Sequence, residues 1–250
     1  MKRLLCILLA AGLLSSCAAR RGPEPAENDP LEGVNRKMFW FNDHVDTYVL
    51  APVATGWSKV APTRVRTSVS NFFTNLRFPI VTANDLLQWK PKAAGVDVAR
   101  FGVNTTVGVL GFFDPASGWG LERHDEDFGQ TLAVWGVPSG PYLVIPLLGP
   151  SDVRDAGGLI VDEALAVTPW FVDSYILVGA GVLDAVNTRS LVLNEVREAK
   201  RSSLDYYSFV RNAYFQRRRA LIADTAAPGV EQQQELYYIP EDATPEPEQK

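Results

Sequence analysis

Hydrophobic side chains recur along this chain at helical spacing and then crowd into stretches with no polar face. Leu31, Val34, Met38, Phe41, Val45 and Tyr48 fall three and four residues apart, and Phe39 and Trp40 widen the arc, so residues 29–49 predict an amphipathic helix. Asp29 is its expected N-cap, with Pro30 at the first helical position and Glu32 in the first turn. Pro52 is expected to end or kink it. Residues 64–75 predict a second helix, stopped by Pro79, and residues 83–89 a short third one before Pro91. The stretch 92–113 reads as one longer helix, buried or lipid-facing, from the spacing of Ala99, Val103, Val107 and Leu110; Gly102, Gly108 and Gly111 let another backbone come close. Residues 114–118 (DPASG) predict a turn. Ser151 or Asp152 caps a helix reaching about Val167, and 169–185 is apolar almost all round, too short with Asp173 inside it to span a bilayer as a straight helix. A last helix, 188–222, carries the stripe Leu193, Val196, Leu204, Tyr207, Val210 and Tyr214.

The uncharged run from Phe128 to Ser151 is long enough to span a bilayer, yet it holds Pro138, Pro141, Pro146 and Pro150 and four glycines. Each interior proline opposes a helix by roughly 3 kcal/mol, so this stretch is apolar and bent. Irregular apolar backbone belongs either in a soluble core or at membrane depth, where protein or a water-filled cavity satisfies its polar groups. Both homes stay open on the pattern alone.

The N-terminus narrows the compartment. Lys2 and Arg3 precede the apolar segment 4–14, and Leu14-Ser15-Ser16-Cys17 places a cysteine after small residues, the arrangement of a bacterial lipobox. Residues 1–16 are therefore expected as a lipoprotein signal peptide, Cys17 as the lipidated residue and 17–28 as a tether. Ala18 and Ala19 follow Cys17 without an aspartate, which by resemblance to enteric lipoprotein sorting favours the outer membrane. Cys6 is removed with the signal, so neither a disulfide nor a cysteine metal site is available. Residues 29–222 carry 19 Lys and Arg against 20 Asp and Glu, nearly neutral, which disfavours nucleic acid. The acidity sits in 223–250, a proline-rich tail expected to be disordered. Arg211 and Arg217 to Arg219 form the strongest basic cluster, a solvated helix end or a contact for phosphate or an acidic partner.

Catalytic signatures are thin. His44 and His124 lie beside acids, but a metal or acid–base site built from both requires the fold to unite distant segments, and none is assigned. Asp127-Phe128-Gly129 has none of the companion motifs of a kinase, Gly136-Val137-Pro138-Ser139-Gly140 has its serine one place late for a nucleophile elbow, and Asn104-Thr105-Thr106 is a sequon without context. No enzyme and no cofactor are expected.

Several ordered blocks carry a resemblance: Asp29-Pro30-Leu31-Glu32-Gly33-Val34-Asn35-Arg36 with Phe41, Asn42 and Asp46; Asn71-Phe72-Phe73; Arg100-Phe101 with Asn104; Phe128-Gly129-Gln130-Thr131-Leu132; Gly140-Pro141-Tyr142; Arg154-Asp155; and Tyr214-Phe215-Gln216-Arg217. Together they resemble the MlaA (VacJ) outer-membrane lipoproteins over 29–220. The resemblance implies an all-α, ring-like domain embedded in the periplasmic leaflet of the outer membrane beside a trimeric porin. Through an amphipathic channel it would remove misplaced phospholipids from the outer leaflet and hand them to a periplasmic carrier of the MlaC type. Gln130, Thr131, Ser139 and Tyr142 are the expected polar groups of the lipid path. A porin-associated structural lipoprotein without transport is the alternative.

Overall fold

The computed structural model describes residues 29–224; the expectations for residues 1–28, Cys17 included, and for the tail from 225 onward lie outside them. Helices dominate: α1 (Glu32–Val45), a π-helical turn (Asp46–Leu50), α2 (Ala51–Val60), α3 (Thr63–Leu76), α4 (Phe78–Leu87), α5 (Pro91–Thr106), the single turn α6 (Pro115–Gly118) and α7 (Phe128–Val134). Strands β1 (Tyr142–Ile145) and β2 (Gly149–Asp152) follow, then α8 (Val153–Leu165), a 3-10 turn (Thr168–Trp170), α9 (Ser174–Leu191), α10 (Leu193–Ser202) and α11 (Tyr206–Ile222). The mostly helical expectation holds, with one small hairpin added.

Proline shifts most of the boundaries. The first helix begins at Glu32, later than expected: Leu31 occupies the cap position, and Asp29 instead accepts hydrogen bonds from the Leu31 N–H at 3.2 Å and the Asn35 amide at 2.9 Å. Pro52 does not end the helix. The chain inserts one residue before it, so that Ala51 N–H reaches back five residues to Asp46 O, and Pro52 falls in the first turn of α2, where its missing donor costs nothing. Likewise Pro79 starts α4 as α3 stops, placing that helix's origin at Phe78 rather than Ala83.

The expected helix to Phe113 ends at Thr106. Val109, Leu110 and Gly111 take φ of 54°, 59° and 91°, left-handed values that a right-handed helix excludes. Close packing explains the reversal. A Cβ on Gly108 would lie 2.4 Å from Phe113 O, and one on Gly111 would lie 2.5 Å from Asn75 Cβ. Asn104 O takes the Gly111 N–H at 2.8 Å, while its side chain accepts from Ala116 N–H and donates to Asp114, the cap of α6. The final predicted helix also breaks, at Val192 and again before Asp205, whose carboxylate accepts the Tyr207 N–H at 3.1 Å.

Within the uncharged run lie α7 and the hairpin. β1 and β2 are antiparallel, with Tyr142 opposite Asp152 and Val144 opposite Pro150. On the side of α1 the hairpin is held by two asparagines. Asn35 donates to Tyr142 O at 2.9 Å and accepts from Val144 N–H at 3.0 Å; Asn42 donates to Ile145 O at 3.0 Å and accepts from Leu147 N–H at 2.8 Å. Two helical turns advance roughly 10.5 Å and three strand residues roughly 10 Å, so a seven-residue spacing on the helix matches the strand's. A small core of Tyr142, Val144, Tyr207 and Phe215 fills the angle between hairpin and α11, with Met38, Phe39 and Tyr214 against it.

Elsewhere, helices pair directly: α4 along α5, with Phe78 stacked on Phe101 at 4.2 Å, α7 along α8, and α9 against α2 and α3. Asn187, fully buried on α9, accepts from the Trp57 indole at 3.0 Å and donates to Arg66 O at 2.9 Å, tying three helices at one side chain.

Candidate functional site

Polarity is turned inside out. Among the described residues, twenty buried side chains are polar or charged against ten that are hydrophobic, while thirty-six large hydrophobic side chains are exposed. Apolar burial drives folding in water and buried charges need partners, so a surface this apolar calls for a non-aqueous neighbour.

The buried polar groups are organised. Arg218 on α11 contacts Asp127 through two nitrogens, at 2.5 and 2.6 Å, and Asp155 at 2.5 Å. Burial opposes its charge, yet those two carboxylates hold the guanidinium charged, above its ordinary range. Asp127 caps α7 through Gln130 N–H at 2.9 Å, and Asp152 caps α8 through Asp155 N–H at 2.8 Å. Tyr214 donates to Asp155 at 2.6 Å, and Arg154 reaches Asp155 at 2.9 Å. The glycines make room: a Cβ on Gly129 would sit 2.4 Å from the Arg218 guanidinium, and one on Gly158 would sit 2.5 Å from Gly129 N. The family-motif residues each meet a partner from another part of the chain. Asp29 meets the Tyr207 hydroxyl, Arg36 meets Asp205 at 2.6 Å and lies over the Tyr207 ring, Asp46 meets Arg189 at 2.6 Å, and Phe72 stacks on Phe112 at 4.8 Å. Gly140 takes a φ of 71° at the bend where Pro141 leads into β1.

Two concavities stand out. One is an open, almost wholly apolar groove of about 800 Å³ lined by Met38, Trp40, Phe41 and Pro146, with Arg36 and Lys37 among its lining residues. The hairpin tip, with Leu147 and Leu148 each about 70% exposed, follows directly from Pro146. The other is a small polar cavity of about 60 Å³, the volume of roughly two waters, lined by residues of α3, α4 and α5 and of the segments flanking α6. Three guanidinium groups line it: Arg77, Arg100 and Arg123. Arg100 is bound to Asp114 at 2.8 Å and to the Leu121 carbonyl. Arg77 and Arg123 make no side-chain hydrogen bond or ion pair with a described residue, and burial lowers the pKa of Arg123. Asn71 lines the same cavity.

None of the four expected path residues lines either of these two concavities. Gln130, Thr131, Ser139 and Tyr142 are all buried. Gln130 donates to Asp125 O at 2.8 Å, Thr131 donates to Asn84 at 2.7 Å, Ser139 O receives the Arg154 N–H, and the Tyr142 ring belongs to the small core. Gln130 and Thr131 belong to α7, and Tyr142 opens β1. His44 sits against Trp40 O, and His124 pairs with Asp97 at 3.1 Å, so the two histidines serve different neighbourhoods. The sequence reading missed Arg77 and Arg123. The available signal was slight: Arg123 lies in ERHDED, a segment legible only as acidic, and Arg77 lies between two helix boundaries.

Comparison with known proteins points one way. Residues 27–221 match the family model described as MlaA lipoprotein. The chain is 38% identical over 219 residues to the "Intermembrane phospholipid transport system lipoprotein MlaA" of Shigella flexneri, covering 86% of each chain. It is 36% identical over 230 residues to the protein of that name from Haemophilus influenzae, covering 89% of this chain and 91% of the relative. A solved structure described as "Structural basis for maintenance of bacterial outer membrane lipid asymmetry" superposes with a TM-score of 0.69 at 36% identity, over 78% of this chain and all of that one. The chain belongs to the MlaA lipoprotein family.

Proposed function

We propose that this protein is anchored to the outer membrane through lipidated Cys17 and moves phospholipid from the outer leaflet toward a periplasmic carrier, without covalent chemistry. The observation that carries this reading is the inverted polarity: an apolar exterior around a charged, hydrogen-bonded interior. Lipid transfer needs apolar surface for acyl chains and cationic groups for the phosphate. The groove of Met38, Trp40, Phe41 and Pro146 offers the first, and Arg77 and Arg123, whose side chains bond no described residue directly, offer the second. The names of the Shigella flexneri and Haemophilus influenzae relatives support the same cargo.

The proposed seat is the periplasmic leaflet. No single described helix is long and apolar enough to cross a membrane; only the bent pair α9 and α10, with 63° between them, has the length and composition together. A body of short helices with exposed apolar faces suits one leaflet, its irregular backbone satisfied by buried polar groups. A trimeric porin beside it and an MlaC-type carrier below it complete the route. The test is outer-leaflet phospholipid labelling and detergent resistance in a deletion strain. Raised surface phospholipid, corrected by the intact gene, is expected. Unchanged surface phospholipid with intact detergent resistance sinks the reading, and co-purification with porin would then leave a structural role.

A further inference from the structure

We infer that Asp85, Asp97 and His124 form a site for one divalent cation of the zinc type, between α4, α5 and the segment leading into α7. One ligand atom from each residue lies within 4.8 Å of the other two. Tetrahedral ligands about 2.1 Å from zinc stand roughly 3.4 Å apart. His124 Nδ1 and Asp97 Oδ2, 3.1 Å from one another, already have nearly that spacing.

Asp85 is the independent reason to place an ion there. Its side chain is fully buried, and neither carboxylate oxygen accepts a hydrogen bond from a described N–H or O–H donor. A buried carboxylate is paired or coordinates a metal. Lys90 is committed elsewhere, to Glu126 at 2.9 Å and Asp224 at 2.6 Å, with Gln88 also donating to Glu126, and none of the arginines that line the cavity beside Asp97 and His124 bonds Asp85. That leaves two carboxylates, Asp85 and Asp97, facing one imidazole, a charge balance a single divalent cation completes. Two oxygens and one imidazole nitrogen suit a borderline ion. Asp97 and His124 also line the polar cavity.

Nothing in this site depends on the transport reading, and its test is separate. The mature chain, purified in detergent without a histidine tag and stripped of divalent ions by chelation, is titrated with ZnCl2 by calorimetry and followed by thermal unfolding. One-to-one binding with a raised Tm is expected. Asp85→Asn, Asp97→Asn and His124→Gln should each weaken it by at least about tenfold, while His44→Ala leaves it unchanged. Asp85→Asn also removes an uncompensated buried charge, so its zinc-free Tm should equal or exceed that of the unaltered protein, which separates lost binding from lost folding. No zinc-dependent heat or Tm rise in the unaltered protein overturns the inference, leaving a proton shared by Asp85 and Asp97. Equal zinc binding by the three variants overturns it as well.

Discussion

Arg218 grips Asp127 with two nitrogens, at 2.5 and 2.6 Å, and thereby fastens α11 to the cap of α7. Removing one member of a buried pair strands the other, at a cost of about 3–5 kcal/mol. Arg218 keeps Asp155 as a second partner, so Asp127→Asn should cost about 3 kcal/mol, the low end of that range. Chemical unfolding in detergent, followed by circular dichroism, measures it.

The same pair sets an acid limb. Burial disfavours the charged form of Asp127, but Arg218 outweighs it and holds the carboxyl below its ordinary 3.8. A depressed folded value means stability present above 3.8 and lost as pH falls through the lower one. Asp152 behaves oppositely, since burial raises it to about 6. Its contribution is complete below 3.8 and is lost as pH rises through about 6. Asp152→Asn preserves a capping oxygen and should flatten the fall in Tm between pH 4 and 6; an unchanged slope assigns that fall to other groups.

Asn35 is 2% exposed, and its amide is bound to both Tyr142 O and Val144 N–H. Asn35→Ala leaves two main-chain groups unsatisfied and should lower stability by about 2 kcal/mol. Asn42, only half-buried, should cost less when changed to alanine. Paired Tm measurements on the two variants decide the order.

At the crossing of α7 and α8, Gly158→Ala drives a methyl to 2.5 Å from Gly129 N, whereas Gly157 has nothing within 4 Å. Overpacking of this kind costs about 1–3 kcal/mol. The neighbouring Gly157→Ala should be neutral or slightly stabilising, because alanine favours a helix. A differential Tm between these adjacent changes reports the close approach directly.

For transport, Leu147→Glu with Leu148→Glu at the hairpin tip, and Arg123→Ala in the polar cavity, should each raise surface phospholipid in the complemented deletion strain. Both sites lie clear of the Arg218 network, so thermal unfolding in detergent should stay close to that of the unaltered protein. A purely structural partner of porin would tolerate these changes without a lipid phenotype.

Much of this was legible in the chain because periodicity survives tertiary context. The amphipathic stripe of α1, the caps of α8 and the family blocks are local patterns. Proline misled the boundaries, since Pro52 and Pro79 act as starts of helical segments once the preceding turn adjusts. The reversal at Gly108 and Gly111 was hidden because it depends on Asn75 and Phe113 arriving from other segments. Gln130 and Thr131 read as wall groups in an apolar run; Gln130 bonds the nearby Asp125 O, whereas Thr131 meets Asn84, a contact only the fold creates. The same holds for Asp85, Asp97 and His124, which three separate segments bring together.

The asparagine clasp on the hairpin has one more consequence. A two-stranded sheet offers two free edges, each a template on which another chain can add a strand. Here Asn35 and Asn42 already occupy main-chain groups of β1, and Pro150 deprives β2 of a donor. Strand augmentation by a passing polypeptide is blocked on both sides. A docking protein must therefore meet this part of the molecule through side chains, with Leu147 and Leu148 foremost.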